Sequence, residues 1–220
     1  MTPRLSAELM ALRVAREILP GEVVNLGYGL PGLVADYLQD REDVWVQTEN
    51  GVIGLGRVLD DGEPYDPEIV NAMGQPSTVR RGAAFVDSVA AFGLIRGGHV
   101  TTAVLGGLQV SCEGDLANWM VPARGYGGVG GAMDLCTGVG RVIVVMQHAD
   151  RDGRPKIVER CTFPLTGQRC VRTVVTDVAV VDVTAEGLVL REVAPGWTPE
   201  AVQAITGAPL DISRAGELEL

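Results

Sequence analysis

At 220 residues, 46% of them hydrophobic, the chain is long and apolar enough to bury the core of one large α/β domain, which excludes a disordered polymer. A net charge of −10, with no basic stripe to offset it, excludes nucleic acid and anionic membrane surfaces as natural partners. Four cysteines without a Cys-x-x-Cys pair, and only two histidines, offer neither a disulfide framework nor a zinc site, so no metal is expected.

In chain order, Ser6 is placed to cap a helix whose apolar residues Leu9, Leu12, Val14, Ile18 and Leu19 recur at helical spacing until Pro20-Gly21 stops it. Glu8, Arg13, Arg16 and Glu17 interrupt that stretch, which therefore reads as neither a signal-peptide core nor a membrane span; a cytoplasmic location is expected. Residues 23–26 read as a strand, Gly27-Tyr28-Gly29 as a turn, and Pro31 as the first residue of a helix reaching about residue 39. Residues 44–46 form a short buried strand, and the Gly- and Pro-studded stretch 51–67 reads as a long loop. A short helix over 90–95 ends at Gly97-Gly98 and leads into a strand over 100–105. Residues 141–147 and 156–162 flank a turn at 150–153 as one hairpin; 174–183 and 188–193 flank Ala185-Glu186-Gly187 as a second. A helix over 199–206 stops at Gly207, and 213–220 read as loosely attached. With no repeat or linker, the expectation is a single α/β domain over 1–220, with a mixed, largely parallel sheet flanked by helices and C-terminal β-hairpins.

Thr48-Glu49-Asn50-Gly51 stands where the apolar run 44–46 ends. Asn50-Gly51 can adopt the positive φ of a tight turn, which leaves Glu49 projecting from the strand end as a candidate carboxylate nucleophile; for an isolated Glu-Asn-Gly a solvated turn is the commoner reading. Gly27-Tyr28-Gly29-Leu30-Pro31-Gly32 matches the dinucleotide fingerprint, with Glu49 lying 20 residues beyond Gly29. A dinucleotide fold would continue with a crossover helix where this chain has its broken stretch, and Pro31 removes an amide near the helix start. A second match, Gly125 to Gly130, lacks a preceding buried strand, but its bare backbone amides and the helix beginning near Ala132 could approach a ligand. Asp115 reads as a helix cap and Asn118 as a loop or ligand contact; His99 reads as structural, and Cys112 and Cys136 as packed thiols. No spacing supports a Ser-His or Cys-His hydrolase.

The ordered motifs together carry a family resemblance. Val24-Asn25-Leu26-Gly27-Tyr28-Gly29-Leu30-Pro31, Glu49-Asn50-Gly51, Ile95-Arg96-Gly97-Gly98-His99, Leu105-Gly106 with Gln109-Val110-Ser111, Gly114-Asp115-Leu116-Ala117-Asn118-Trp119-Met120, Gly130-Gly131-Ala132-Met133-Asp134-Leu135 and Pro164-Leu165-Thr166-Gly167 follow one another through nearly the whole chain. In this the chain resembles the B-type (beta) subunit of the 3-oxoacid coenzyme A transferases, the family I enzymes that include acetoacetate, succinyl-CoA:3-ketoacid and 3-oxoadipate transferases. The resemblance implies a CoA-transferase (NagB-like) fold and Glu49 as covalent nucleophile. It implies that Asn50, Gly51, Gly130 and Gly131 form the substrate and CoA site, with the Gly131 amide near the acyl carbonyl. It also implies CoA esters as substrates, no permanently bound cofactor, and a partner CoA-transferase subunit of the A (alpha) type in a hetero-oligomer such as α2β2. The chain departs from the family's usual Leu-Pro-Gly at Arg80-Arg81-Gly82, and Met73-Gly74-Gln75-Pro76 is also altered. Two adjacent arginines suit a dicarboxylic acid substrate, although a solvated surface pair is the commoner reading. The rival readings are a CoA-ester hydrolase or ring-opening relative and, from another class, a dinucleotide-binding module.

Overall fold

The computed structural model describes residues 2–219. Helix α1 (Ala7–Ala15) is capped as its sequence requires, the Ser6 hydroxyl accepting from the Leu9 amide at 3.3 Å, and Met10, Ala11 and Val14 face inward. It ends about a turn earlier than the apolar spacing predicts. The strands that follow are β1 (Val23–Leu26), β2 (Trp45–Gln47), β3 (Val52–Val58) and β4 (Ser77–Phe85); between β1 and β2 the segment Leu30–Tyr37, with Pro31 in its first turn, winds as a 3₁₀ helix. Helix α2 (Ser88–Arg96), capped by Asp87, leads to β5 (Thr102–Gly106), β6 (Gln109–Ser111) and β7 (Leu116–Ala117). Helix α3 (Ala132–Gly138), β8 (Arg141–Met146), β9 (Ile157–Val158), β10 (Val171–Thr176), β11 (Ala179–Thr184), β12 (Gly187–Val193), α4 (Pro199–Ala204), β13 (Leu210–Asp211) and β14 (Gly216–Glu217) complete the α/β domain.

The main sheet runs β13-β12-β11-β10-β8-β5-β1-β2-β3-β4, with β14 also on β12; β10-β8-β5-β1-β2 is its parallel centre and antiparallel pairs lie on either side. Alternate residues of the central strands feed two cores. Val104, Ile143 and Val145 pack with Met10 and Val14 of α1, whereas Ala103, Leu105, Val142 and Val144 pack with Ile95 and Leu135 from α2 and α3. Both faces are covered, which is why these strands read as unbroken apolar runs. A small sheet, β7-β6-β9, flanks this core.

Four expectations are corrected. The stretch 51–67 is not all loop: its first half is β3, whose Gly54 and Gly56 fall where the pairing with β4 shifts register between Ile53 and Leu55 and again between Leu55 and Val58. Residues 141–147 and 156–162 do not pair as a hairpin. β8 lies between β5 and β10 at the centre of the main sheet while β9 joins β6, leaving a single bridge, Ala149 to Pro155, across the turn. The apolar run 174–183 is two antiparallel strands that reverse at Asp177-Val178, where the Thr176 hydroxyl accepts from the Ala179 amide at 3.0 Å. The C-terminal segment is docked: β14 pairs with β12 and Leu218 is buried.

Candidate active site

Chain order fixes where a cleft must form. From β1 the chain steps to β2 on one side and later returns to β5 on the other, so the loops leaving β1 and β5 diverge at the C-terminal ends of the strands, the position where open parallel sheets bind ligands. A cavity of about 560 Å³ occupies this place, within the usual range for small-molecule sites. Gly27 and Tyr28 leave β1, Glu49 leaves β2, Leu105 and Gly106 end β5 with Gly107 and Leu108 following, and Gly128 to Met133 close the wall opposite.

Glu49 is carried on a turn held at both ends. The Gly51 amide donates to the Thr48 carbonyl at 3.1 Å and the Thr48 amide to the Val52 carbonyl at 2.9 Å. The Thr48 hydroxyl donates to the Asn50 side-chain oxygen at 2.5 Å, and the Asn50 amide donates to the Val70 carbonyl at 3.0 Å. Only glycine fits position 51, whose φ is +107° and where a Cβ would lie 1.9 Å from the Val86 carbonyl oxygen. Asn50 and Gly51 thus build the turn and do not line the cavity.

Burial raises the Glu49 carboxyl above the ordinary glutamate value, while a hydrogen bond from the Asn25 side chain opposes the shift. Gly131 lies directly over this group, since a Cβ there would stand 3.2 Å from Glu49 Cδ and 2.9 Å from the Phe92 ring. The glycine loop is held in place through α2 and α3: Arg96 Nε donates to Asp134 Oδ1 at 2.7 Å, and the Arg96 guanidinium stands over Phe92 at 5.6 Å. Glu49, Gly130 and Gly131, far apart in sequence, therefore share one cavity.

Arg80 and Arg81 do not line that cavity. Arg80 reaches the opposite end of β2, donating to the carbonyls of Arg41 and Val44 and stacking 5.1 Å from the Trp45 ring; Arg81 is exposed. The dicarboxylate contact considered for this pair is therefore not formed beside Glu49 within this chain. His99 is exposed before the first residue of β5, at the end of the sheet away from the cavity. Asp115 caps no helix, its carboxylate accepting from the Arg169 amide at 3.0 Å. Asn118 belongs to the cavity wall, donating to the Gly106 carbonyl at 3.1 Å and accepting from the Thr166 hydroxyl at 2.6 Å. Among the described residues no three His, Cys, Asp or Glu side chains gather as a metal site.

The pattern of the coenzyme A transferases matches residues 7–204. The chain belongs to this family. It is 47% identical over 204 residues to the beta subunit of the acetate CoA-transferase of Escherichia coli K12, covering 93% of each chain. It is 46% identical over 211 residues to the B subunit of the 3-oxoadipate CoA-transferase of Pseudomonas putida, covering 96% of this chain and 98% of the relative. The chain is accordingly a CoA-transferase subunit of the beta type. Glutaconate CoA-transferase from Acidaminococcus fermentans, 22% identical, superposes with a TM-score of 0.74 over 99% of this chain and 90% of that one, which shows the fold. The CoA-transferase fold also answers the dinucleotide reading: β2 is followed by antiparallel β3 and not by a crossover helix.

Two residues of this CoA-transferase site escaped the sequence reading. Asn25 and Gln47, paired in register on β1 and β2, are buried behind the cavity wall, with Asn25 Nδ2 donating to Gln47 Oε1 at 2.9 Å and Gln47 preceding Glu49 by two residues. The available signal was an amide interrupting each of two short buried strands. No helix among the described residues is long and apolar enough to cross a membrane.

Proposed function

We propose that Glu49 is the nucleophile of a ping-pong CoA transfer between an acyl-CoA such as succinyl-CoA and a 3-oxoacid, carried out in the cytoplasm with a partner of the A (alpha) type. The observation that carries this reading is the Glu49 carboxyl group, half-buried in a cavity of ligand size against the Gly131 backbone. The ionised carboxylate attacks the thioester carbonyl, the C–S bond breaks, and a mixed anhydride and CoA thiolate result. The thiolate then attacks the Glu49 carbonyl, releasing the donor acid and leaving a glutamyl-CoA thioester. The acceptor acid reverses the sequence. Burial suits the chemistry, because a desolvated carboxylate is more reactive and the anhydride is kept from water. The Gly131 amide is the candidate oxyanion donor, a role typically worth about 2.7 to 4 kcal/mol. No permanently bound cofactor enters this scheme.

The alpha-type partner is supported by the cavity, where Tyr28 and Val129 are 82% and 64% exposed, and by Tyr126, three residues before Val129 and 74% exposed. Large apolar side chains displayed together at a reaction centre suit a surface that a second polypeptide covers. The relatives named above are likewise called subunits.

The test is peptide mass spectrometry of the copurified complex after incubation with succinyl-CoA or acetoacetyl-CoA, beside Glu49→Gln. A CoA adduct on the Glu49 peptide, absent from the variant, is expected. Normal transfer by the variant would overturn the assignment, and CoA release without an acceptor acid would point to hydrolysis.

A further inference from the structure

The hydrogen bonds of Gln47 fix the orientation of both buried amides. Gln47 Nε2 donates to the Thr48 carbonyl at 2.9 Å and approaches the Ala91 carbonyl at 3.5 Å, so its oxygen must face Asn25. Asn25 therefore turns its nitrogen toward Gln47, at 2.9 Å, and its own oxygen is left without a partner although the residue is only 1% exposed. A primary amide has two N–H groups and Gln47 takes one of them. The other is free, and Glu49 follows Gln47 by two residues and, like it, faces α2, its Cδ beside Gly131 where Phe92 also packs; the Asn25 side chain favours its charged form.

A sheet in which only packing mattered would place valine here, as at Val24 and Val46 beside these positions. Burying an amide whose oxygen finds no partner weakens the fold, and such exceptions in a well-packed interior call for a reason beyond packing. We propose that Asn25, clamped by Gln47, is a positioning residue whose second N–H holds the Glu49 carboxylate in the orientation that attacks the thioester. This inference rests on the nucleophile reading above. The Thr48 carbonyl that anchors Gln47 belongs to the residue preceding Glu49, so the clamp and the catalytic turn are tied together within one residue.

The test uses the complex with its partner and compares wild type, Asn25→Leu, Gln47→Leu and Glu49→Gln. Asn25→Leu keeps the approximate shape and removes both donors. Loss of a hydrogen bond to a charged group predicts a fall in kcat of about 10- to 100-fold, and a shift of the acid limb of kcat/KM upward by about one pH unit. KM for the acyl-CoA should change much less. Gln47→Leu, which leaves the Asn25 donor in place and removes only its clamp, should move kcat and the acid limb in the same direction by less. It also provides the measurement if Asn25→Leu does not fold.

A second readout is independent of turnover: the pH dependence of carbodiimide modification of Glu49, which requires the protonated carboxyl, followed on the Glu49 peptide. Modification should persist to higher pH in both leucine variants. A titration that overlays wild type in a folded Asn25→Leu or Gln47→Leu protein would overturn the positioning role, even if kcat fell. Normal transfer by Glu49→Gln, with the carbodiimide titration still displaced in the leucine variants, would overturn the nucleophile reading alone.

Discussion

Replacing Gly131 by alanine separates the chemistry of the site from its folding. Gly131 has φ −74° and ψ −2°, a conformation alanine adopts freely, so the substitution carries no backbone penalty. The added Cβ would meet the Phe92 ring at 2.9 Å and Glu49 Cδ at 3.2 Å, both inside ordinary contact, so one or both must retreat by several tenths of an ångström. Phe92 is half-buried and can swing outward, which limits the stability cost of overpacking to about 1 kcal/mol. Glu49 has less freedom, being held on the turn between Thr48 and Gly51, and a reacting group displaced by up to about 1 Å typically loses about 100-fold in rate. Gly93→Ala, exposed on α2 and outside the cavity lining, is the control, because nothing lies within 4 Å of its added Cβ. Steady-state transfer from succinyl-CoA to acetoacetate by the reconstituted complex should fall about 100-fold for Gly131→Ala and less than about 3-fold for Gly93→Ala. Equal activity of the two folded variants would show that the Gly131 backbone is not tied to the reacting centre.

Gly51→Ala should behave oppositely to Gly131→Ala, failing through the fold: its φ of +107° and the 1.9 Å approach to the Val86 carbonyl oxygen predict a loss of about 3 kcal/mol or more in urea unfolding. His148, wholly buried between the hydroxyls of Thr176 and Thr206, is driven by desolvation from 6.5 to about 4. Since unfolding lets it take up a proton, it contributes about 3 kcal/mol above pH 6.5 that is lost as pH falls toward 4, at about 1.36 kcal/mol per pH unit. Urea curves from pH 7 to pH 4 should therefore be flatter for His148→Gln than for wild type. Arg13 is buried where α1 meets β12, donating to Glu192 at 2.5 and 2.7 Å and pairing with Glu17 at 2.7 Å; Arg13→Ala leaves Glu17 its Arg191 partner at 2.5 Å but leaves Glu192 only Arg191 Nε at 3.7 Å, and should cost about 3 kcal/mol in the same assay.

Legibility in the sequence followed the range of the forces involved. Local signals sufficed for the start and inner face of α1, though not for its end, and for the turn that projects Glu49. Pairing partners were not legible. Residues 141–147 look the same whether they return in a hairpin or lie buried between β5 and β10, because an apolar run records burial on two faces and not the identity of its neighbours. The glycines of 51–67 read as breakers because the sequence does not record that Phe85 and Ala84 of β4 pair with Val52 and Ile53 across a bulged ladder. In the site, Glu49, Gly130 and Gly131 were named from motifs, but their meeting depends on α2 and α3 packing together, a contact no window of sequence contains. Arg80 was misleading for a related reason: its partners are Trp45 and two carbonyls at the far end of β2.

The Glu49 environment works against the stability of the domain, and that conflict can be measured. Burial raises the Glu49 carboxyl, so ionising it in the folded chain costs more than ionising it in the unfolded one. The folded state therefore holds its proton more tightly, and the fold weakens as pH rises from the ordinary glutamate value of 4.5 through the raised value of the folded chain. Above that window the full penalty is present. Glu49→Gln removes the charge while keeping the shape, so its melting temperature at pH 7 should exceed that of wild type, and the difference should shrink as pH is lowered toward 4.5. A structural carboxylate, stabilised by its partners, would give the opposite sign, with the glutamine variant less stable at pH 7. Paired melting curves of the two proteins at pH 7 and pH 5 decide between them. A higher melting temperature in an inactive protein would mean that the desolvation that makes this carboxylate reactive is kept at the expense of the fold.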